Sequence, residues 1–542
     1  MALMDDKKLF LTANEAVAYA ALDSGVHLAA GYPGTPSTEI LETLGALGGP
    51  AQWSPNEKVA LEVAMGAAFG GAWALATMKH VGLNVAADPL FTAAYAGVQG
   101  ALVIVVADDP GMASSQNEQD SRRYAIAAGV PMLEPADSQQ AYDFFAQALY
   151  VSSRWEIPVL LRLTTRTSHS KTIVTRRALP HRPVAPHFVR KIKERVMVPA
   201  NARPAHRRLR AKLEEIRKWA EKEENGAILY PPLNGREPSR RILSNGVAVM
   251  HAREAAPDAE VLQVVMTHPA PVDLFRAFLV EGECQVIEEG DPVIVETCRT
   301  AGVQVQDKPA MYRFGELSVE RVRRILAGDL SPEAQPPAGR PPQLCPGCPH
   351  RVAFEVLKAQ DYIVSGDIGC YTLGYLPPFM AMDSQTCMGA SITAGLGLRR
   401  VLPEAEARRV ISVIGDSTFI HSGLTGIAEL VYNPPATGHV VLILDNGTTA
   451  MTGLQEHPAT GHKLDHSAAA KISLENVCRA MGVPNVAVVD HVQDRDGFTA
   501  LVQQAMASGQ LWVIIARRPC ILAVVRDRKL EAAAKDGPVK CQ

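Results

Sequence analysis

The sequence predicts an α/β protein in which two large parallel-sheet domains flank a smaller α/β domain. Short apolar runs typical of buried strands alternate with helix-like segments, and this alternation stops and restarts twice along the chain. The length of the chain agrees with several domains, because 542 residues exceed what one hydrophobic core supports. At about 150 residues per domain, the chain would have three or four domains. We expect three.

The first domain is predicted over residues 1–184. Its helix-like segments are ANEAVAYAALDSG, KVALEVAMGAAFGGAWALA and QQAYDFFAQALYVSSRW. Its strand-like runs include VHLAA, ALVIVVADD and PVLLRLT. Near-continuous apolar strands of this kind are typical of a parallel sheet covered on both faces.

The middle of the chain reads as a connector followed by a compact domain. Residues 185–240 contain the charged run RRLRAKLEEIRKWAEKEEN, which predicts a solvated helix. Residues 241–330 hold two strand-like runs, VLQVVMTH and ECQVIEEGD, and a helix-like one, ELSVERVRRILAG. A proline-rich linker is predicted over 331–343.

The last domain, 344–525, repeats the architecture of the first, and residues 526–542 are predicted to be a tail. Its strand-like runs are DYIVSGD, RRVISVIGDS, GHVVLILDNG and LWVIIARRP, with helices between them.

Composition excludes several classes of function. The net charge of −3 is close to neutral, so no global field favours nucleic acid or an anionic membrane. We find no run of about 18 apolar residues and no secretion signal, so we expect a cytoplasmic protein acting on small molecules. Nine cysteines in such a chain are expected to be reduced, buried or metal-bound.

Two strands of the last domain end in residues suited to a divalent cation. VISVI runs directly into Gly415, Asp416 and Ser417, and thirty residues after Asp416 the strand VVLIL is followed by Asn446. Ligand sites of open α/β sheets lie beyond such carboxyl ends. Asp416, Asn446 and the carbonyl near Thr448 could supply the oxygen ligands that Mg²⁺ shares with a diphosphate, and Gly415 would let the diphosphate approach a helix N-terminus.

The stretch LCPGCPH places Cys345 and Cys348 three residues apart after the linker. Such a pair suits a zinc site, a redox dithiol or half of an iron–sulfur site. A zinc knuckle needs a second pair that we do not find, and a redox dithiol normally begins a helix after a strand. Cys370 and Cys520 also follow strands of this domain, so four thiols are available.

The Asp416 to Asn446 spacing resembles the thiamine-diphosphate signature, with Ser417 in place of its last glycine. The motifs CPGCPHR, GDIGCYTLGYLPP, TCMGASITAGLG, GYPGTPSTEI and NEKVALEVAMGAA resemble the alpha subunit of indolepyruvate:ferredoxin oxidoreductase, over nearly all of 8–525. That family belongs to the thiamine-diphosphate 2-oxoacid:ferredoxin oxidoreductases. The resemblance implies pyrimidine-binding and diphosphate-binding outer domains and a transketolase C-terminal-like middle domain.

The resemblance also implies roles for individual residues. Glu57, nine residues before Gly66, matches the glutamate that activates the aminopyrimidine, with Glu62 as the alternative. Thr35 matches the residue that meets the substrate, and His80 could bind substrate or cofactor. Further cofactor contacts are expected in the last domain, at Gly369, Tyr371, Met388 and Gly389.

By the same resemblance, Cys345, Cys348, Cys370 and Cys520 match the ligands of one [4Fe–4S] cluster. The remaining thiols are expected in the core or on the surface, namely Cys284, Cys298, Cys387, Cys478 and Cys541.

The activity implied is oxidative decarboxylation of an arylpyruvate, such as indolepyruvate or phenylpyruvate, with transfer of the acyl group to coenzyme A. Family members often continue into a ferredoxin-like domain with two CxxCxxCxxxCP runs, which this sequence does not contain. We therefore expect a homodimer core, a smaller beta (gamma-type) subunit that completes the coenzyme A site, and an external electron acceptor, which could be ferredoxin, a flavoprotein or an NAD-reducing subunit. Two alternatives stay open: a non-redox decarboxylase or carboligase with structural zinc, and a non-catalytic scaffold subunit.

Overall fold

The computed structural model describes residues 7–179, 185–279, 283–334 and 342–535. The chain divides into two compact units, with the division between residues 334 and 335. This division falls inside the predicted linker 331–343, of which residues 335–341 lie outside the described ranges. In the described ranges, no helix combines the length and the apolar character needed to cross a bilayer.

The first unit contains thirteen strands and fifteen α-helices among its described residues, with one 3-10 helix at Ala310–Arg313. The strands are β1 (Lys8–Thr12), β2 (Leu28–Gly31), β3 (Ala51–Trp53), β4 (Trp73–Lys79), β5 (Ala101–Asp108), β6 (Met132–Leu133), β7 (Val159–Thr164), β8 (Lys171–Thr175), β9 (Ala227–Tyr230), β10 (Arg240–Asn245), β11 (Ala259–Val264), β12 (Met266–His268) and β13 (Cys284–Ile287). The helices are α1 (Ala13–Asp23), α2 (Thr38–Ala46), α3 (Glu57–Phe69), α4 (His80–Val85), α5 (Ala87–Ala96), α6 (Arg122–Ala128), α7 (Ser138–Trp155), α8 (Thr165–His169), α9 (Ile192–Arg195), α10 (Pro199–Ala220), α11 (Glu223–Gly226), α12 (Ala248–Ala255), α13 (Val272–Phe278), α14 (Val293–Thr300) and α15 (Val319–Leu326).

A seven-stranded sheet organises the first unit, in the order β12-β6-β7-β5-β4-β2-β3. All neighbours in it are parallel except β12 and β6. A four-stranded sheet follows in the order β13-β10-β11-β9, in which only β9 is antiparallel. The predicted parallel α/β architecture is confirmed.

Two local predictions in the first unit need correction. The segment KVALEVAMGAAFGGAWALA is not one helix, because α3 ends at two glycines and the buried run from Trp73 onward forms β4. VLQVVMTH forms two strands, of which β12 joins the seven-stranded sheet rather than the smaller one. The two residue runs predicted as separate domains therefore share a sheet, and their boundary at 184 and 241 stays a prediction.

The connector differs from the solvated helix that we expected. Its helix α10 buries one face, formed by residues at helical spacing such as Leu209, Leu213 and Ile216, and exposes its charged face. Residues 227–230 of the predicted connector form β9, which pairs with β11.

The second unit is a five-stranded parallel sheet between helices, in the order β14-β15-β16-β18-β17. Its strands are β14 (Ile363–Ser365), β15 (Val410–Gly415), β16 (His439–Asp445), β17 (Asn485–Val489) and β18 (Leu511–Arg517). Its helices are α16 (His350–Ala359), α17 (Ala390–Val401), α18 (Glu404–Ala407), α19 (Asp416–Thr418), α20 (Leu424–Tyr432), α21 (Leu474–Ala480), α22 (Arg495–Ala507) and α23 (Ile521–Lys535). Two hydrophobic clusters cover opposite faces, since alternate residues of β16 contribute to one or the other.

Two further expectations differ in this unit. Helix α16 begins at His350, so the cysteine pair does stand directly before a helix, although no strand precedes it in residues 342–349. Helix α23 crosses residue 526, so the predicted tail begins inside a helix.

Candidate active site

Asp416 lies where β15 ends, and its carboxylate is buried and held by several donors. Its Oδ2 accepts a hydrogen bond from the Gly447 main-chain N–H at 2.9 Å and lies 3.1 Å from Nε2 of His457. Burial alone would raise the pKa of Asp416, but the charge and hydrogen bond of His457 hold it below its ordinary value. The group is therefore an ionised carboxylate in a fixed orientation.

Asn446 stands at the end of the neighbouring strand β16, as the sequence predicts. Its Oδ1 accepts a hydrogen bond from the Thr448 N–H at 3.1 Å, and its Nδ2 lies 3.2 Å from Nε2 of His350. Both Asn446 and Thr448 are buried. Gly447, between Asn446 and Thr448 in sequence, donates its main-chain N–H to the Asp416 carboxylate. The main chain of this turn is therefore tied directly to Asp416.

Gly415 and Gly369 both lie against the ring of Tyr371. A Cβ atom on Gly415 would lie 2.6 Å from Cε1 of Tyr371, and a Cβ on Gly369 would also collide with that ring. Tyr371 is buried, and its hydroxyl donates to the Ile368 carbonyl at 2.9 Å. Gly415 thus makes room for a tyrosine, and its contact with a diphosphate stays a prediction.

Gly389 begins α17 in a backbone conformation that favours glycine, with φ of 88°. A Cβ there would lie 2.5 Å from the Cβ of Ser422. The Gly389 N–H and the Ser391 N–H each donate to the buried Asp367 carboxylate at 2.9 Å. Met388, half-buried, precedes this turn.

Ser417, which departs from the thiamine-diphosphate pattern, is fixed by a hydrogen bond. Its hydroxyl lies 2.8 Å from that of Thr449, in the loop after Asn446. The extra side chain therefore ties the two strand ends together instead of pointing freely into the space between them.

These residues fit Mg²⁺ and a diphosphate. Asp416 Oδ2 contacts Gly447 and His457, and the main-chain N–H of Ser417 also bonds to this carboxylate. A carboxylate has about four lone-pair sites, and Asn446 Oδ1 has a second lone pair, so both can also bind a cation. Hard cations take such oxygen ligands and share them with phosphate. Asp416, Asn446 and the Thr448 carbonyl are thus able to hold the metal.

The four predicted cluster cysteines interact with one another. The pKa of the Cys370 thiol is raised to about 12, first by burial and then by Cys348, Cys520 and Cys345. The pKa of Cys348 is raised to about 11 by burial and by Cys345 and Cys520, against a main-chain hydrogen bond from His350. Thiols that oppose one another's ionisation can all become thiolates only around a cation.

These four residues, called the cysteine group below (Cys345, Cys348, Cys370 and Cys520), adjoin the predicted magnesium ligands. The main-chain N–H of Cys520 donates to the Asn446 carbonyl at 2.9 Å. Among the described residues, no three His, Cys, Asp or Glu side chains are gathered closely enough to hold a single metal ion. In a four-iron cluster each thiolate binds a different iron, so its ligands stand farther apart than those of one ion.

In the first unit, the structure distinguishes the two candidate glutamates. Glu57 is the first residue of α3 and only 4% exposed. A Cβ on Gly82 would lie 2.6 Å from its Oε1, so the carboxylate packs directly on the backbone of α4. Glu62 lies on the surface with 40% of its side chain exposed and pairs with Lys58.

Lys79 connects Glu57 with the Thr35 loop. Its buried side chain passes 3.3 Å from the Cβ position of Gly34, and its ammonium donates to the Ser114 carbonyl at 3.0 Å. The Ser114 hydroxyl in turn donates to the Thr35 carbonyl at 3.2 Å. Burial lowers the pKa of Lys79, and the negative charges of Asp109 and Glu57 oppose that effect.

His80 is buried, and its Nε2 lies 3.1 Å from the Asn117 carbonyl. Burial lowers the pKa of His80, so the ring is neutral at pH 7. The Nε2 atom therefore carries the proton, because a carbonyl only accepts.

The other cysteines fall where the sequence suggests. Cys284, Cys298 and Cys478 are buried, and Cys387 is exposed. Cys541 lies outside the described residues.

Sequence reasoning missed the residues that hold the predicted ligands. His457 and His350 contact Asp416 and Asn446, and Lys79 contacts the Thr35 loop. The only signal in the sequence was proximity to a motif, since His350 ends CPGCPH and Lys79 precedes His80.

Two family models match the chain. Residues 19–225 match the thiamine-diphosphate-binding family of pyruvate flavodoxin/ferredoxin oxidoreductases. Residues 367–516 match the C-terminal TPP-binding domain of thiamine pyrophosphate enzymes.

Curated relatives match nearly the whole chain. Indolepyruvate oxidoreductase subunit IorA of Methanothermobacter marburgensis is 38% identical over 98% of this chain and 89% of the relative. The protein of the same name from Archaeoglobus fulgidus is 36% identical over 97% of this chain and 89% of the relative. Among solved structures, 2-oxoglutarate:ferredoxin oxidoreductase from Magnetococcus marinus has a TM-score of 0.50 at 15% identity, over 60% of this chain and 66% of that chain, which supports the fold.

The fold, the strand-end residues and these matches define a subunit of a thiamine-diphosphate-dependent 2-oxoacid oxidoreductase. Within that class, the chain belongs to the family of indolepyruvate oxidoreductase subunit IorA.

Proposed function

We propose that this chain is the catalytic subunit for oxidative decarboxylation of arylpyruvates, such as indolepyruvate and phenylpyruvate. The products are an aryl-acetyl-CoA, carbon dioxide and two electrons, which leave through one [4Fe–4S] cluster. One 2-oxoacid anion and one coenzyme A thiol give one thioester, one carbon dioxide, one proton and two electrons, so atoms and charge balance.

The observation that carries this proposal is the contact between the cysteine group and the predicted magnesium ligands. The Cys520 N–H donates to Asn446, and the His350 that follows Cys348 reaches the same residue with its ring. A non-redox decarboxylase has no use for four thiols beside its cofactor site. An iron–sulfur cluster bound by them would supply one-electron oxidation next to that site.

Asp416, Asn446 and the Thr448 carbonyl would hold Mg²⁺ and, through it, the diphosphate. Thiamine diphosphate supplies, when bound, the carbanion chemistry that cleaves a 2-oxoacid. Tyr371 and Gly389 would shape the wall beside the diphosphate. Their buried positions keep water away from the metal ligands.

Glu57 would act as the acid–base residue of the first unit. Its carboxylate is buried against Gly82, where water does not compete for it. It would hold a proton shared with N1′ of an aminopyrimidine, which makes the amino group at C4′ basic.

The Thr35 loop would receive the 2-oxoacid. Thr35 is half-buried and offers a hydroxyl donor to the carboxylate or keto oxygen. The side-chain carbons of Lys79 lie beside the same loop, its ammonium bonds to the Ser114 carbonyl, and a buried positive charge favours an anionic substrate. His80, with its proton on Nε2, would keep the loop that contains Asn117 in place.

The proposal includes partners. The relatives are named as subunits. We propose that a smaller beta (gamma-type) subunit completes the coenzyme A site around a homodimer of this chain. Electrons would then pass to a separate ferredoxin, flavoprotein or NAD-reducing subunit.

The choice of an arylpyruvate follows the name indolepyruvate oxidoreductase of the relatives. The test is steady-state oxidation by the assembled complex with coenzyme A and an artificial dye as acceptor. We expect kcat/KM for indolepyruvate and phenylpyruvate to exceed that for pyruvate and 2-oxoglutarate by at least about tenfold, equivalent to about 1.4 kcal/mol. Faster turnover of pyruvate or 2-oxoglutarate would contradict the substrate assignment.

A further inference from the structure

His350 is a buried histidine that joins the cysteine loop to the predicted magnesium site. It is the first residue of α16 and 2% exposed. Its ring packs edge-on against Tyr371 with the centroids 6.0 Å apart, and its Nε2 lies 3.2 Å from Nδ2 of Asn446.

The hydrogen-bond chemistry of Asn446 determines what His350 does. The Thr448 N–H points at the other side-chain atom of Asn446, 3.1 Å away, which must therefore be the oxygen. The atom that faces His350 is then the NH₂ group, which only donates. Nε2 of His350 then accepts, which assigns the proton of a neutral imidazole to Nδ1, a buried atom with no hydrogen-bond partner among the described residues.

From this arrangement we infer that His350 is a positioning residue that fixes the carboxamide of Asn446. An asparagine amide can turn by 180° about its last bond, and the two orientations differ little in shape. A turned amide would present NH₂ where a cation needs oxygen. By accepting from Nδ2, His350 stabilises the one orientation in which Oδ1 is available to Mg²⁺.

The inference rests on the proposed function, since it assumes that Asn446 holds Mg²⁺. A second contact of His350 provides an internal control. Its main-chain N–H lowers the pKa of the Cys348 thiol, and this effect does not depend on the side chain. A substitution of His350 should therefore leave the iron and sulfide content unchanged while it changes cofactor affinity.

The test measures binding of thiamine diphosphate in the presence of Mg²⁺ by titration calorimetry. His350→Leu removes the acceptor, and we expect affinity to fall about 10- to 100-fold, as for other groups that orient a metal ligand. His350→Gln can place its Oε1 near the former Nε2 and accept from Asn446, so we expect it to bind within about 3-fold of the wild type. Equal affinity of His350→Leu and wild type, or equal loss in both variants, would overturn the inference.

A double-mutant cycle separates orientation from packing. An aspartate presents an oxygen whichever way it turns, so His350→Leu should cost less than about 3-fold in an Asn446→Asp background. Damage to packing would instead cost the same in both backgrounds, and that result would also overturn the inference.

His439→Leu is the matched control. It removes an equally buried imidazole at the other end of β16, where Nε2 lies 2.8 Å from the Ser412 hydroxyl. We expect its affinity for Mg²⁺ and thiamine diphosphate to stay within about 3-fold of the wild type, below the loss expected for an orienting group.

If the wild-type chain itself binds no thiamine diphosphate with Mg²⁺, the proposed function fails. If the wild type binds and His350→Leu binds equally well, only the role of His350 fails.

Discussion

The two units each contain one buried carboxylate that the sequence singles out, and different residues surround the two. Asp416 is 2% exposed and receives hydrogen bonds from a main-chain N–H and a histidine. Glu57 is 4% exposed and is placed by packing on Gly82, with the ammonium of Lys79 nearby. In the roles proposed for them, a metal ligand has to remain ionised and still, whereas an acid–base residue has to exchange a proton.

The largest effect is expected at Asp416. Asp416→Ala removes the one carboxylate among the proposed magnesium ligands, so Mg²⁺-dependent binding of thiamine diphosphate should be lost. Asn446→Ala should also abolish it, because few protein oxygens hold the metal. Titration calorimetry checks both variants, and near-normal affinity in both would reject the magnesium assignment.

The cysteine group provides the next contrast. Cys370→Ser should lose the iron–sulfur cluster, because a hydroxyl is a poor substitute for a thiolate ligand that lies among three others. Cys387→Ser is the control, since Cys387 is exposed and stands seventeen residues further along the same domain. Iron and labile sulfide are measured after anaerobic purification, and loss of cluster in both or in neither would contradict the assignment.

Glu57→Gln tests the first unit. The variant should bind thiamine diphosphate but exchange its C2 proton about 10²- to 10⁴-fold more slowly, since an amide cannot take the proton. Glu62→Gln should exchange at the wild-type rate, because Glu62 lies on the surface. Proton exchange is followed by NMR in D₂O. The reverse pattern would mean that the activating glutamate lies one turn further along α3.

Gly82→Ala sharpens the packing argument. The new Cβ would lie within 2.6 Å of the Glu57 carboxylate and must push it aside. Alanine is favourable in a helix, so the fold should persist while C2 proton exchange slows about 10²-fold through misplacement. A wild-type exchange rate together with normal cofactor affinity would show that the position of Glu57 is not set by Gly82.

The smallest effect is expected at Thr35. Thr35→Val keeps the shape of the side chain and removes its hydroxyl. Loss of one hydrogen bond should raise KM for an arylpyruvate about tenfold, equivalent to about 1.4 kcal/mol, without changing affinity for thiamine diphosphate. Steady-state kinetics checks this, and an unchanged KM would remove Thr35 from the substrate site.

Residues that end strands were predictable from the sequence, because apolar runs fix where β15 and β16 stop and hence where Asp416 and Asn446 stand. The residues that contact Asp416 and Asn446 were not predictable. His457 lies 41 residues from Asp416 and His350 lies 96 residues from Asn446, and no local pattern encodes contacts at such separations.

Tertiary structure also decides what local sequence does not show. The run after Gly71 reads as helix, but a parallel sheet buries it as β4. Gly415 is predicted to let a diphosphate approach, and the structure adds that its missing Cβ makes room for Tyr371, more than forty residues away in sequence. Spacing identifies a glycine but does not say what packs against it.

The central claim is that the chain couples decarboxylation to a cluster held by Cys345, Cys348, Cys370 and Cys520. The most direct test supplies the anaerobically purified chain with Mg²⁺, thiamine diphosphate and indolepyruvate, and follows the cluster by absorbance and electron paramagnetic resonance. We predict about four iron atoms and about four labile sulfides per chain, with bleaching and a reduced-cluster signal that depend on substrate and are absent in Glu57→Gln. A colourless protein that contains zinc, or a cluster whose spectrum does not respond to indolepyruvate or any other 2-oxoacid, would contradict the claim.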